Sequence, residues 1–215
     1  MKRTNLFLVC LILFISAQSS IIAINPLTPT LAFFISIFVF SSRGLRLDKS
    51  FFLFTFIYFL ISLLYYIVFD FVDTLYIIYF YMLLTYGYLT IKILEYDFFK
   101  ILHKIIYVLA LISLPFFIFQ LINLDLTFKF VGIFQNSISF LNYNNEVFAN
   151  NLIFTIDKTG AIYRNSGFAW EPKGFANFLI IAIIINSILY NFKINRKIII
   201  LIIALMTTFS TAGYI

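Results

Sequence analysis

Between Tyr163 and Gly174 the chain reads Tyr-Arg-Asn-Ser-Gly-Phe-Ala-Trp-Glu-Pro-Lys-Gly, a dense group of polar residues around the only tryptophan. Arg164 carries a planar guanidinium whose paired N–H groups can grip a phosphate with two parallel bonds. Pro172 needs no amide donor and suits the first position of a helix. Glu171 then stands where unpaired amides and the helix dipole favour a carboxylate. Gly167 permits a tight backbone approach. Together these types point to capture of a phosphate-bearing ligand at a helix entrance. A plainer interpretation fits too: Trp170 as an interfacial anchor, Glu-Pro as ordinary helix initiation, and Arg164 on lipid headgroups.

Other ionisable groups offer less. Asp70 and Asp73 read as a solvated turn, and Glu95 and Asp97 as a short loop. His103 is the only histidine, beside Lys100 and Lys104, and no acidic cluster accompanies it, so neither a metal site nor a cofactor is implied. Cys10 is the only cysteine, which excludes an intrachain disulfide. Asn177 and Asn186 lie within an apolar run and can hydrogen-bond to neighbouring helices.

The elements that must hold these residues are membrane helices. Of the 215 residues 63% are hydrophobic and 11% charged, with 30 Phe and 14 Tyr. A soluble domain is about half apolar and about a quarter charged, and a chain of this size cannot bury such an excess. Soluble enzymes, nucleic-acid binders and disordered regulators are excluded. The expected fold class is all-α, a polytopic integral membrane helical bundle of about seven transmembrane helices. The segments are Leu6–Ile24, Leu27–Phe40, Phe51–Phe69, Leu75–Ile91, Ile105–Ile122, Phe175–Tyr190 and Ile198–Phe209. The second and seventh are short, and either can tilt or end in a re-entrant piece.

The net charge of +6 is distributed as topology demands. With a cytoplasmic N-terminus, Lys2, Arg3, Arg43, Arg46, Lys49, Lys92, Lys100, Lys104, Lys193, Arg196 and Lys197 all fall inside. Only Lys129, Lys158, Arg164 and Lys173 fall outside. A second interpretation of the N-terminus is a secretory signal peptide ending near Ser16-Ala17-Gln18, and it leaves the orientation of the later loops unchanged.

Three regions follow: residues 1–122 with five spans, an external segment 123–171, and residues 172–215 with two more spans. In the external segment Leu126, Phe128, Phe130, Ile133 and Phe134 alternate with Thr127, Lys129 and Gln135, as in a piece lying on the membrane interface. Leu152–Ile156, Asp157–Gly160 and Ala161–Tyr163 fit a small hairpin with a Gly-containing turn.

Arg164-Asn165-Ser166-Gly167-Phe168-Ala169-Trp170-Glu171-Pro172, leading straight into a membrane helix, resembles the signature of the O-antigen polymerases and their ligase relatives. That family has an Arg-x-x-Gly element in an external loop, then a helix-opening Pro, and one helix later a Thr-x-Ser element. Here the second element is Thr208-Phe209-Ser210, followed by Thr211-Ala212-Gly213 where many relatives have Arg after the Ser. The resemblance implies a multi-pass glycosyltransferase of the bacterial inner membrane. It would polymerise undecaprenyl-pyrophosphate-linked repeat units for O-antigen, capsule or exopolysaccharide. Its partners would be that lipid-linked glycan, membrane lipid and other polysaccharide-assembly proteins, with no nucleic acid and no cofactor.

Carried over by position, Arg164 would engage the pyrophosphate, Gly167, Glu171 and Pro172 would shape the entrance, and Trp170 would stand beside them among the substrate-binding residues. Ser210 would contact substrate, and Glu171 would act as general base or set the pose of Arg164. Family members are longer, with a further external loop, so the resemblance covers an N-terminal portion and the chain looks cut at Ile215. Two alternatives stand beside polymerisation: ligation of the glycan to another acceptor, and a transporter subunit. The absence of charge pairs within the spans weighs against an ion-coupled carrier. A non-enzymatic scaffold would leave Arg164 without a role.

Overall fold

Lipid cannot satisfy backbone amides and carbonyls, so long apolar runs close their hydrogen bonds internally as helices. The computed structural model describes residues 3–17, 27–69, 74–136, 147–158 and 162–210. Its helices are α1 (Arg3–Ser16), α2 (Leu27–Ser42), α3 (Lys49–Phe69), α4 (Thr74–Leu94), α5 (Tyr96–Ile122), α6 (Leu124–Asn136), α7 (Pro172–Leu189) and α8 (Arg196–Thr207). A two-stranded antiparallel ribbon, β1 (Phe148–Asn150) with β2 (Thr155–Asp157), lies between α6 and α7.

Among the described residues four helical segments are long and apolar enough to cross a membrane: Lys49–Phe69, Ile77–Leu94, Tyr96–Ile122 and Pro172–Leu189. This is an all-helical membrane protein. The helices α1 and α2, at 14 and 16 residues, are apolar but shorter. At 12 residues, α8 reaches only about 18 Å, against the ~30 Å of a hydrocarbon core. The seventh expected span is therefore shorter than a crossing within the described residues.

The chain forms two compact units. One comprises residues 1–12 and 26–98, the other residues 13–25 and 99–215. In the first, α2 packs chiefly on α4. The Tyr86 hydroxyl donates to the Leu8 carbonyl at 2.6 Å. Arg43 donates to the Ile93 carbonyl (2.9 Å) and to Asn5 Oδ1 (2.8 Å). Asp48 pairs with Lys92, accepts from the Tyr88 hydroxyl at 2.6 Å, and holds the Phe51 amide at the start of α3. Along α3 only Phe51 is buried; Tyr58 and Phe59 pack on Tyr81 of α4, and most of the remaining apolar side chains are exposed, as they are when lipid is the solvent.

The second unit is built on α5, α7 and α8. Its core joins Leu13 and Ala17 with Ile106, Ala110, Phe168, Phe175, Leu179, Leu201 and Ala204. Asn195 caps α8 by accepting from the Lys197 and Ile198 amides, both at 3.0 Å. A smaller cluster of Phe117, Val131, Ala149, Phe154 and Ile156 ties α6 and the ribbon to α5.

Two expectations are corrected. The loop expected before Ile105 shrinks to Glu95, in a left-handed conformation (φ 48°) between α4 and α5. No Gly or Pro lies between Lys92 and Lys104 to stop a helix, so α5 starts at Tyr96 and His103 lies inside it, buried. The hairpin also sits earlier than expected. Its strands flank Asn151–Phe154, because the Asn151 carboxamide accepts from the Ile153 (2.8 Å) and Phe154 (2.7 Å) amides and makes the turn itself. Asp157 ends β2 instead of opening the turn, and Thr159, Gly160 and Ala161 lie outside the described residues, as do Asp70 and Asp73.

Candidate functional site

The Arg164–Pro172 segment is organised around Asn165, which is fully buried. Its Nδ2 donates to Ser113 Oγ of α5 at 3.1 Å and to Thr207 Oγ1 of α8 at 2.9 Å. Its Oδ1 accepts from the Gly167 amide at 2.9 Å. Its own amide donates to the Thr207 carbonyl at 3.0 Å, pairing one of the carbonyls that a helix leaves open at its end. The hydroxyls of Ser113 and Thr207 spend their protons on the Ala110 (2.9 Å) and Ala204 (2.7 Å) carbonyls. Both oxygens therefore present only acceptors to the neighbouring side chain, which a carboxamide NH2 satisfies and a carboxylate does not.

Beyond Asn165 the chain turns inward as a plug. Gly167 has φ +50°, and a Cβ there would lie 2.6 Å from Phe175 Cζ. Glycine is needed for conformation and for space. The tight approach expected at this position is made by a ring of the protein itself. Phe168 is buried between Phe14, Phe175 and Phe178, with ring centroids 6.0, 5.5 and 5.2 Å away. The Ala169 amide closes on the Ser166 carbonyl at 3.0 Å, and the Trp170 amide donates to the Ala17 carbonyl at 3.1 Å. The Trp170 ring stacks on Phe148 of β1, centroids 4.5 Å apart and planes 16° from parallel. Pro172 is the first residue of α7, and Glu171 is its N-cap in extended conformation with no side-chain capping bond.

The two charged candidates thus flank a buried plug while remaining exposed themselves. Among the described residues neither Arg164 nor Glu171 forms an ion pair, so the expected mutual bond between them is not made. Gly167 and Ser210 are buried, and Trp170 is half-buried. At the other end of the site α8 stops at Thr207, the Thr208 hydroxyl donates back to the Leu205 carbonyl at 2.7 Å, and Phe209 takes φ +44°. A bulky residue in that conformation costs about 1–2 kcal/mol. This turn carries the chain so that Ser210 is buried, its amide 3.4 Å from Thr208 Oγ1. Thr211–Gly213 lie outside the described residues.

The fold therefore brings together the loop segment and the end of α8, which are separated by the whole of α7 in sequence. Asn165, Ser113 and Thr207, which join them, carried no weight in the sequence. A lone serine inside the apolar run of α5 was the available signal. Of the two asparagines in α7, Asn186 is buried and accepts from Asn195 Nδ2 at 3.5 Å, while Asn177 is exposed. Asn186 lies about 21 Å further along α7 than Pro172, so its surroundings are separate from this site. No three His, Cys, Asp or Glu residues converge as a metal site among the described residues. The chain matches no family model, and neither a curated protein nor a solved structure matches it.

Proposed function

We propose that the chain belongs to a membrane glycosyltransferase that polymerises undecaprenyl-pyrophosphate-linked repeat units at the outer face of a bacterial inner membrane. The observation that carries this reading is the junction at Asn165. The Arg-x-x-Gly loop and the segment leading into Thr-x-Ser are hydrogen-bonded to each other, with Arg164 and Glu171 left exposed beside the junction. In this reading the N-terminus is cytoplasmic, α1 and α2 join the four long helices as spans, and α8, too short on its own to cross, is the re-entrant seventh. The gathering of Arg43, Asp48 and Lys92 at one end of the first unit agrees with the α2–α3 and α4–α5 connections lying on the same side.

In the reaction, a sugar hydroxyl of one lipid-linked repeat attacks the anomeric carbon of another glycan chain. The bond from that carbon to the pyrophosphate oxygen breaks, and undecaprenyl pyrophosphate leaves. Arg164 stabilises the charge that develops on the pyrophosphate. Glu171 takes the proton of the attacking hydroxyl. In cells carrying the intact gene, Arg164→Ala abolishes chain extension while expression and insertion stay near wild type. Arg164→Lys, which keeps the charge but loses the fork, restores only part of it. Glycan chains of unchanged length in Arg164→Ala overturn the assignment. Long chains that accumulate on the lipid carrier instead identify the ligase.

A further inference from the structure

The 13 residues of α6 are too few to cross a bilayer, yet the helix has two distinct apolar faces. One face, with Val131 and Phe128, packs on the ribbon and α5. The other carries Leu126, Phe130 and Ile133, which at 100° per residue fall within an arc of about 60° and are all more than half exposed. Within the described residues Phe130 meets the Phe116 ring of α5 at one side, centroids 6.0 Å apart, and the outward surface of the stripe stays open. Between the two faces runs a polar edge of Asp125 and Lys129, where Asp125 is bonded to Lys158 at 2.7 Å.

What covers the stripe follows from its continuity with α5. That span ends at Ile122, and its last turns expose Ile118, Phe119, Leu121 and Ile122. Only Asn123 separates it from α6, and Asn123 fixes the turn: its side chain accepts from the Leu126 amide at 3.0 Å and its carbonyl from the Thr127 hydroxyl at 2.8 Å. The exposed apolar surface of a membrane-crossing helix thus runs on into α6 at the point where the chain leaves the hydrocarbon. We propose that Leu126, Phe130 and Ile133 seat α6 in the acyl–headgroup boundary of the bilayer, with the ribbon lying over its opposite face.

The occupant of the stripe is lipid acyl chain, recognised by apolar burial and without an anionic headgroup requirement, since Lys129 is the one basic residue of α6. The seat also has a consequence for the site: through the ribbon, α6 sets the height of Phe148 and so of the Trp170 ring stacked on it. This inference stands on the membrane assignment and the local packing, independent of which reaction the loop serves.

The test uses the full chain in phosphatidylcholine vesicles, with Cys10 replaced by alanine and single cysteines at 125, 126, 129, 130 and 133 carrying an environment-sensitive fluorophore. Probes at 126, 130 and 133 are expected to be quenched several-fold more by bromine-labelled acyl chains than by aqueous iodide. Probes at 125 and 129 are expected to show the reverse preference. Iodide quenching that is equal at all five positions overturns the proposal. So does protection of 126, 130 and 133 from both quenchers, which means that protein, such as a second copy, covers the stripe.

Discussion

Replacing Asn165 by aspartate exchanges a single NH2 for an oxygen and changes the side-chain volume hardly at all, so its effect isolates hydrogen-bond polarity. Asn165 donates to two hydroxyl oxygens whose protons are already committed to the Ala110 and Ala204 carbonyls. Aspartate sets a buried carboxylate against two acceptors. To accommodate it, both hydroxyls must rotate and leave the Ala110 and Ala204 carbonyls without their hydroxyl donors. The alanine variant is a simpler loss: two hydrogen bonds of about 1 kcal/mol each, plus about 1–3 kcal/mol for the stranded Gly167 amide. Alanine at 165 therefore costs about 3–5 kcal/mol, and aspartate at least as much, because it adds the desolvation of a charge. The assay is thermal unfolding of the detergent-solubilised chain, read alongside protease cleavage within residues 162–171. The expected order of stability is asparagine, then alanine, then aspartate, with the loop opening in the same order. An aspartate variant as stable and as protected as wild type refutes the assignment of these donors and acceptors.

Three further outcomes follow from local geometry. Gly167→Ala must hold a left-handed φ and push a methyl against the Phe175 ring, so it destabilises the loop; pairing it with Phe175→Leu returns part of the loss in the same unfolding assay. The Lys92 ammonium, with the Tyr88 hydroxyl, holds the Asp48 carboxyl down to about 2. A folded value below the unfolded ~3.9 makes this contribution present above about pH 4 and lost as pH falls toward 2. The difference in unfolding temperature between wild type and Asp48→Asn is expected to close over that window, and a difference constant from pH 6 to 2 contradicts it. Phe148→Ala removes the ring stacked on the only tryptophan, a pair worth about 0.5–1.5 kcal/mol. The intrinsic emission spectrum should therefore shift, and an unchanged spectrum argues against the stack.

The helical architecture was legible because apolar runs of membrane length leave the backbone few alternatives. Where the chain carries charge the sequence misled: Lys100 and Lys104 looked like a loop, yet a helix with no Gly or Pro from Tyr96 through Lys104 keeps them exposed while turning His103 inward. The ribbon was expected at a glycine, but the Asn151 carboxamide, which mimics a backbone turn, placed it earlier. At the site, the exposed ionisable groups and the helix-opening proline were readable from residue type alone. The junction was not. Ser113, Asn165 and Thr207 are separated by 52 and 42 positions, and only the packing of α5, α7 and α8 brings them within hydrogen-bond distance.

The most direct test of the proposed function is the length distribution of lipid-linked and surface glycan in cells with and without the gene. Polymerase action predicts loss of the long-chain ladder in the deletion strain, with single repeat units persisting on the carrier and the ladder returning on complementation by wild type but not by Arg164→Ala. A ladder unchanged by deletion contradicts a role in glycan assembly.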